Sequence, residues 1–199
     1  MSKKEVAIIS MFGAIFLFSV IMLLIQNIPS QKIEITGQAT TGTTTSNVTI
    51  SKFLSIDMSG NLSTGILFGT VNALPAVDIN ASSNNNSGGN STFYLNVSTD
   101  SNIAVDFCIK ADADLYDSLG GSTLGVGNES YANATITNMT LPDLSNQVPF
   151  TTSYIKSGYN ITRGNVNYYR FWLDIPSGTP SGTYNNTLTF KGIEIGTSC

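Results

Sequence analysis

An apolar run without a charged side chain, VAIISMFGAIFLFSVIMLLI from Val6 to Ile25, most constrains what this chain can fold into. A helix of that length reaches about 30 Å, the thickness of the hydrocarbon core of a bilayer, because each helical residue adds about 1.5 Å. We therefore predict a transmembrane helix over residues 6–26, with the membrane as its partner. The alternative is that copies of this helix pack against one another in a filament.

Two lysines, Lys3 and Lys4, precede the apolar run. Positively charged residues beside a membrane-crossing segment stay in the cytoplasm, so residues 1–5 are expected inside the cell and the rest outside. A cleaved secretory signal has small residues close behind a shorter apolar region, whereas the first such site here lies near Gly37. We therefore predict an uncleaved signal-anchor in a single-pass membrane protein whose C-terminal domain is extracellular.

Residues 27–46 differ in composition from the apolar run. Thr, Ser and Gly dominate this segment, and only KIEIT, at residues 32–36, alternates as a strand does. Such a segment cannot bury enough apolar surface to order itself, so we predict a tether that spaces a domain from the membrane. About 150 residues follow it, which is the size of one ordinary domain.

From residue 47 onward, apolar and polar residues alternate with the period of two that is typical of β-strands. The clearest segments are NIAVDFCIKA at 102–111 and NYYRFWLDIP at 167–176, and GILFGTV at 65–71 is expected to continue a strand. Short strands separated by Gly-, Pro- and Asn-rich turns, without an amphipathic helix among them, indicate an all-β fold. We predict a single β-sandwich over 47–199, Ig-like or jelly-roll, preceded by one long N-terminal hydrophobic α-helix.

Asparagine occurs in a pattern that favours glycosylation. Asn-x-Ser/Thr triplets occur eleven times, and none has Pro in the middle. Because Ser, Thr and Asn supply 67 of the 199 residues, chance produces some of these triplets. Eleven beyond a membrane-crossing segment nevertheless predict N-linked glycans on an extracellular domain. The acceptors are Asn47, Asn61, Asn80, Asn85, Asn90, Asn96, Asn128, Asn133, Asn138, Asn160 and Asn185.

The chain has two cysteines, Cys108 and Cys199. An even count in an extracellular domain predicts one disulfide bond, formed in an oxidising compartment. Closing a loop of about 90 residues stabilises a fold by about 4–5 kcal/mol on the chain-entropy model. Two unrelated thiols are the alternative interpretation.

The chain contains no histidine. This excludes Ser-His-Asp and Cys-His catalysis, imidazole general-base chemistry and the usual zinc sites. The glycine-rich run LGGSTLGVG at 119–127 lacks the following helix of a phosphate-binding loop. We therefore predict a protein that is not an enzyme and has no cofactor. The net charge of −4 also argues against a nucleic-acid partner, which calls for a basic patch.

Asp112, Asp114 and Asp117 form an acidic cluster. Ca²⁺ prefers oxygen ligands on loops, so these residues are the candidate Ca²⁺ ligands of the chain. Their spacing is not that of an EF-hand, because no Gly or closing Glu follows in register. The competing interpretation is that they are solvated loop carboxylates, with Asp114 or Asp117 accepting hydrogen bonds in a turn, and on balance we predict no metal.

Tyr168, Arg170 and Trp172 alternate along one predicted strand and share one face. Exposed aromatic rings stack on sugars or anchor partner proteins, so this face is a candidate binding surface. If both faces of a central strand are covered, Trp172 belongs to the core instead.

The order of segments, namely a short basic start, an apolar helix, a Thr-rich tether and a β-sandwich, resembles that of archaeal membrane-anchored surface glycoproteins. It is also similar to archaeal type IV pilins and archaellins, whose helices bundle in the filament core while their β-domains face outward. Pilin precursors carry a basic pair followed by Gly or Ala before the helix, whereas Glu5 follows Lys3 and Lys4 here. The segment LDIPSGTPSGTYNNTLTF at 173–190 resembles the closing hairpin of prokaryotic surface β-sandwiches, including pilus subunits that share strands.

These features together predict a non-enzymatic structural glycoprotein that displays a β-sandwich outside the cell membrane. One alternative is a pilin-like filament subunit, extracellular and joined to copies of itself by its helix or by the KIEIT strand. A second alternative is a carbohydrate- or cell-binding adhesin, which depends on Trp172 and its neighbours.

Overall fold

A computed structural model describes residues 3–26 and 47–199 of the chain. Within the first range, side chains are described for residues 12–23. The predicted tether at 27–46, including its KIEIT segment, lies outside the described residues.

The chain divides into two compact units, of which the first, Met1–Val48, contains helix α1 (Lys3–Gln26). Every described side chain of α1 is exposed. Across the part of the chain that the structure describes, no helix combines the length and the apolar character that crossing a bilayer requires.

The second unit, Thr49–Cys199, contains β-strands, one short α-helix, α2 (Gly60–Thr64), and three 3-10 turns (Ser87–Gly89, Val126–Asn128 and Leu144–Asn146). Ser59 caps α2, because its Oγ accepts a hydrogen bond from the N–H of Leu62 at 3.2 Å. The strands are β1 (Ile56–Met58), β2 (Ala76–Asn80), β3 (Phe93–Val97), β4 (Val105–Ala111), β5 (Leu115–Asp117), β6 (Thr123–Leu124), β7 (Glu129–Ala134), β8 (Val148–Pro149), β9 (Ile155–Ile161), β10 (Val166–Ile175), β11 (Tyr184–Asn185) and β12 (Leu188–Glu194).

Strand β10 is central to a six-stranded antiparallel sheet, in which five strands follow the order β1-β3-β10-β7-β8 and the sixth, β2, also pairs with β10. Along one edge of β10 runs β7, so that Phe171 lies opposite Tyr131. Along the other edge, β3 pairs with the first part of β10 and β2 with the last part, where Trp172 lies opposite Asn80. Strand β10 therefore has hydrogen-bonded neighbours on both edges.

Two further sheets have three antiparallel strands each, in the orders β12-β4-β9 and β11-β5-β6. Every strand pair in the described residues is antiparallel. The predicted all-β class is thereby confirmed for the second unit.

One hydrophobic core joins the six-stranded sheet to the β12-β4-β9 sheet. Leu95 and Phe171 contribute to it from the first sheet, and Phe107 and Ile109 from the second. The rings of Phe93 and Phe171 meet edge to face with centroids 5.2 Å apart, an arrangement that aromatic quadrupoles favour. These residues lie on the faces that the alternation in β3, β4 and β10 predicts to be internal.

Two predicted elements are wrong. The GILFGTV segment forms no strand, and Gly65 and Gly69 within it have φ angles of 118° and 76°, which glycine adopts without a steric penalty. The segment at 173–190 is not a hairpin either, because β10 and β12 belong to different sheets and β12 pairs with β4. The chain between them crosses from one sheet to the other.

Candidate functional site

The predicted outer face of β10 is largely covered. The exposed fraction is 4% for Arg170 and 3% for Trp172, and Tyr168 is half-buried. The indole Nε1 of Trp172 donates a hydrogen bond to Asn80 Oδ1 at 3.0 Å, which satisfies the only donor of that ring. The interpretation of Tyr168, Arg170 and Trp172 as an exposed binding surface is therefore wrong, because two of the three side chains are buried.

Backbone carbonyls hold the guanidinium of Arg170. Nε donates to Asn84 O at 2.9 Å and Nη1 donates to Pro142 O at 3.0 Å. Nη2 donates to Gly89 O at 2.6 Å and to Asn138 O at 2.5 Å. Burial lowers the pKa of this side chain, although a guanidinium still keeps its proton. Arg170 thus joins the loop between β2 and β3 to the loop between β7 and β8.

The three candidate Ca²⁺ ligands accept hydrogen bonds from backbone N–H groups. Asp112 Oδ1 accepts from Thr187 at 2.8 Å, and Asp114 Oδ1 accepts from Val126 at 2.8 Å. Asp117 accepts from the N–H groups of Leu119 and Gly120, in the turn that follows it. In the described part of the chain, no three His, Cys, Asp or Glu side chains are arranged to hold a metal ion. Asp117 therefore caps the turn that follows it, whereas Asp112 and Asp114 each accept from a residue distant in the sequence.

Cys108 and Cys199 form the predicted disulfide bond, which closes a sequence separation of 91. Cys108 is fully buried in β4, opposite Lys191 of β12. The Nζ of Lys191 donates a hydrogen bond to Cys199 O at 2.6 Å. A covalent bond and a hydrogen bond therefore fasten Cys199 to the same pair of strands.

None of the eleven predicted glycosylation sites is buried. The acceptors Asn96 and Asn128 are half-buried, and the other nine are exposed. By contrast, two asparagines outside Asn-x-Ser/Thr triplets, Asn84 and Asn167, are fully buried. The exposed acceptors are Asn47, Asn61, Asn80, Asn85, Asn90, Asn133, Asn138, Asn160 and Asn185.

A cleft of about 300 Å³ beside β7 contains a buried carboxylate, Glu129, whose side chain is 3% exposed. Glu129 lies on the same face of β7 as the core residue Tyr131, two positions before it. Its Oε2 accepts a hydrogen bond from Asn186 Nδ2 at 3.0 Å. The apolar side chains that line this cleft, called the Glu129 cleft below, are Met58, Leu62, Ile66, Leu188 and Phe190.

Glu129 has no cationic partner among the described residues. The ion pairs in that part of the chain involve two other carboxylates, Glu194 and Asp106. Burial raises the pKa of the Glu129 carboxyl to about 7, and the hydrogen bond from Asn186 opposes this rise. Near neutral pH, the group is therefore divided between its neutral and its ionised forms.

A second cleft, of about 720 Å³, adjoins the first at Ile66. Its lining includes Leu173 at the end of β10, Leu115 of β5 and Leu124 of β6, together with residues 66–72. Tyr184 contributes the only titratable side chain to its described lining. The chemistry of this second cleft is apolar contact.

The sequence matches no protein-family model, and a search of curated proteins likewise found no match. The function proposed for this chain therefore rests on its own residues and their geometry.

Proposed function

We propose that this chain is a non-enzymatic structural glycoprotein of the cell surface. In this proposal an N-terminal apolar helix holds a β-sandwich outside the membrane. The observation that carries the proposal is the exposure of large apolar side chains along the described part of α1. A surface of that kind calls for a lipid or protein neighbour.

Nine large apolar side chains of α1 are exposed, in the span from Phe12 to Leu23 where side chains are described. A helix that is apolar all round is covered by lipid or by protein where it works, because apolar surface is costly in water. In the sequence, the uncharged run extends beyond this span to residues 6–25, a length that fits the hydrocarbon core of a bilayer. The exposed apolar side chains and the length of the uncharged run both support a membrane anchor.

The disulfide bond and the Asn-x-Ser/Thr triplets support an extracellular position for the β unit. Reductants in the cytosol keep thiols reduced, so the buried Cys108–Cys199 bond favours an oxidising compartment. Nine exposed acceptors leave room for glycans. Such glycans supply polar surface to a chain of which only 11% of the residues are charged.

We infer a β-sandwich, Ig-like or jelly-roll, as the finer architecture of this unit. The six-stranded sheet and the β12-β4-β9 sheet share one core, as the two layers of a sandwich do. Strand β10 presents Tyr169 and Phe171 to that core, and both residues are fully buried.

Membrane fractionation of native cells tests the anchor. We expect the full chain to remain in the membrane pellet after an alkaline carbonate wash and to be released by detergent. A variant that lacks residues 6–25 is expected outside the pellet. Mass spectrometry of the same material is expected to show glycans on some of the exposed acceptors. Release of the full chain by carbonate alone contradicts the anchor.

A filament subunit is the second candidate, because the same exposed apolar side chains of α1 also fit a bundle of helices. Electron microscopy of native cell-surface material distinguishes the two candidates. Filaments composed of this chain support the second and contradict the simple anchor. The adhesin alternative is not pursued, since Arg170 and Trp172, which it requires at the surface, are buried.

A further inference from the structure

We propose that the Glu129 cleft binds a primary ammonium group on a short apolar chain, carried either by a free amine or by a lysine side chain of another molecule. The inference goes beyond the proposed anchoring function and does not depend on it. It rests on one carboxylate, its neighbours and the apolar walls around them.

One oxygen of the Glu129 carboxylate is available as a hydrogen-bond acceptor for a ligand. Oε2 accepts a hydrogen bond from Asn186, whereas Oε1 has no hydrogen-bond partner among the described residues. Among the described residues, Oδ1 of Asn96 is the only side-chain polar atom that is both inaccessible to solvent and without a hydrogen-bond partner. Since Oε1 of Glu129 also has no partner, it must be accessible to solvent, and we infer that it faces the cleft.

The charge around the cleft favours a cation. Glu129 is the only titratable residue among the described residues that line it. Thr187, another lining residue, donates its N–H to the exposed carboxylate of Asp112 at 2.8 Å, and this hydrogen bond lowers the pKa of Asp112. When Glu129 is ionised, two negative charges lie at or beside the cleft, and no described Lys or Arg pairs with Glu129, so the site attracts a cation and repels an anion.

The polar groups suit an ammonium, which has three N–H donors and no acceptor. Oε1 of Glu129 and Oδ1 of Asn186 are two acceptors on one side of the cleft, since the amide of Asn186 donates through Nδ2. The hydroxyl groups of Ser63 and Thr187 supply further acceptors in the same lining. The lining therefore carries oxygen acceptors besides the carboxylate.

The walls suit an alkyl chain and disfavour a bare metal ion. Leu62, Ile66 and Phe190 offer apolar surface to methylene groups next to the carboxylate. Ca²⁺ and Mg²⁺ require six or more oxygen ligands, whereas no three metal-binding side chains come together in the described residues. A volume of about 300 Å³ accommodates a ligand the size of a lysine side chain.

The test is a titration of the full-length, ¹⁵N-labelled protein in detergent, followed by NMR at the Asn186 side-chain amide. The probes are n-butylammonium, a lysine whose amino and carboxyl termini are blocked as amides, and n-butanol, which has the same alkyl chain without the charge. We expect saturable shifts with the two ammonium probes at pH 8 and at least about tenfold weaker binding of n-butanol. Tighter binding of blocked lysine identifies a lysine of a partner as the source, and tighter binding of n-butylammonium identifies a small amine.

Two variants and one matched control complete the test. Glu129→Gln keeps the shape of the side chain and is expected to weaken ammonium binding at least about tenfold. Glu194→Gln, at an exposed carboxylate paired with Lys52, is expected to bind as the wild type does. Ser63→Trp places a ring at an exposed position of the cleft lining, so we expect it to block the cleft and abolish binding. This variant tests the site independently if Glu129→Gln fails to fold.

Protonation supplies an independent readout. The carboxyl pKa of about 7 predicts ammonium binding about thirtyfold weaker at pH 5.5 than at pH 8, because the ionised fraction falls by that factor. The proposal is overturned by the absence of saturable shifts up to about 100 mM n-butylammonium. Equal affinity for n-butanol, or unchanged affinity in Glu129→Gln, overturns it as well.

Discussion

Asn84 and Phe171 bond to each other as residues of neighbouring strands do. The Nδ2 of Asn84 donates to Phe171 O at 2.6 Å, and the N–H of Phe171 donates to Asn84 Oδ1 at 2.8 Å. On this edge of β10, β3 pairs up to Tyr169 and β2 pairs from Trp172 onward. The buried side chain of Asn84 therefore fills the gap between two strands that share one edge.

Replacing Asn84 with Leu tests this role. Asn84→Leu keeps the branched shape of the side chain but leaves the buried N–H of Phe171 without an acceptor, so we expect the free energy of unfolding to fall by about 2–4 kcal/mol. Urea unfolding followed by circular dichroism measures the change. Asn85→Leu, at the exposed next position of the same loop, is the control and is expected to change stability by less than about 0.5 kcal/mol. Equal midpoints for the two variants contradict the prediction.

Arg170 is expected to be as important for the loops as Asn84 is for the sheet. Arg170→Met removes the donors of four carbonyl groups and is expected to destabilise the domain by about 3–5 kcal/mol. We also expect limited proteolysis to cleave the β2–β3 and β7–β8 loops much faster than in the wild type. Arg163→Met changes an exposed arginine and serves as the control. Cleavage of both loops in Arg170→Met at the wild-type rate contradicts the prediction.

Glu129 makes stability depend on pH. Its pKa rises from an ordinary value of 4.5 to about 7 on folding, so between these values the folded protein holds a proton that the unfolded chain has lost. The stabilisation is complete below pH 4.5 and is lost as the pH rises toward 7. At about 1.4 kcal/mol per pH unit, the loss amounts to about 3 kcal/mol.

Urea unfolding at several pH values checks this slope. Glu129→Gln is expected to remove the contribution of this group, so that the variant loses less stability than the wild type between pH 4.5 and 7. Glu194→Gln, which changes an exposed carboxylate, is expected to keep the wild-type slope. Parallel curves for Glu129→Gln and the wild type count against the prediction.

The disulfide bond is expected to supply a large part of the domain's stability. The double variant Cys108→Ala/Cys199→Ala removes a cross-link over 91 residues, and we expect a loss of about 4–5 kcal/mol. A reductant is expected to lower the urea midpoint of the wild type to that of the double variant. The double variant is its own control, since reductant has no target there. A wild type insensitive to reductant under unfolding conditions refutes the prediction.

The sequence predicts best the strands whose inner faces meet another sheet. In β4, Val105, Phe107 and Ile109 are fully buried as their alternation indicates, and the disulfide at Cys108 forms as predicted. In these places, burial and periodicity have the same cause, which is packing across the core.

Periodicity fails where polar groups are satisfied by backbone. Arg170 resembles a surface residue in the sequence, yet loop carbonyls cover it. The segment ASSNNNSGGNS at 81–91 predicts a loop without core residues, although Asn84 within it is fully buried. Glu129 is a different case: a charged residue at the start of a strand indicates exposure by default, yet Glu129 is buried, and its hydrogen bond comes from the side chain of Asn186. Hydrogen bonds of this kind leave no regular pattern in the sequence.

The Cys108–Cys199 bond also determines how the domain stretches under load. A pull between residue 47 and Cys199 travels through the sulfur atoms, so the chain enclosed between the two cysteines carries no tension. The segment from 47 to 108, about 60 residues, extends by at most about 210 Å at about 3.4 Å per residue. More than half of the folded chain therefore carries no tension, and the disulfide bond limits how far the domain can be stretched.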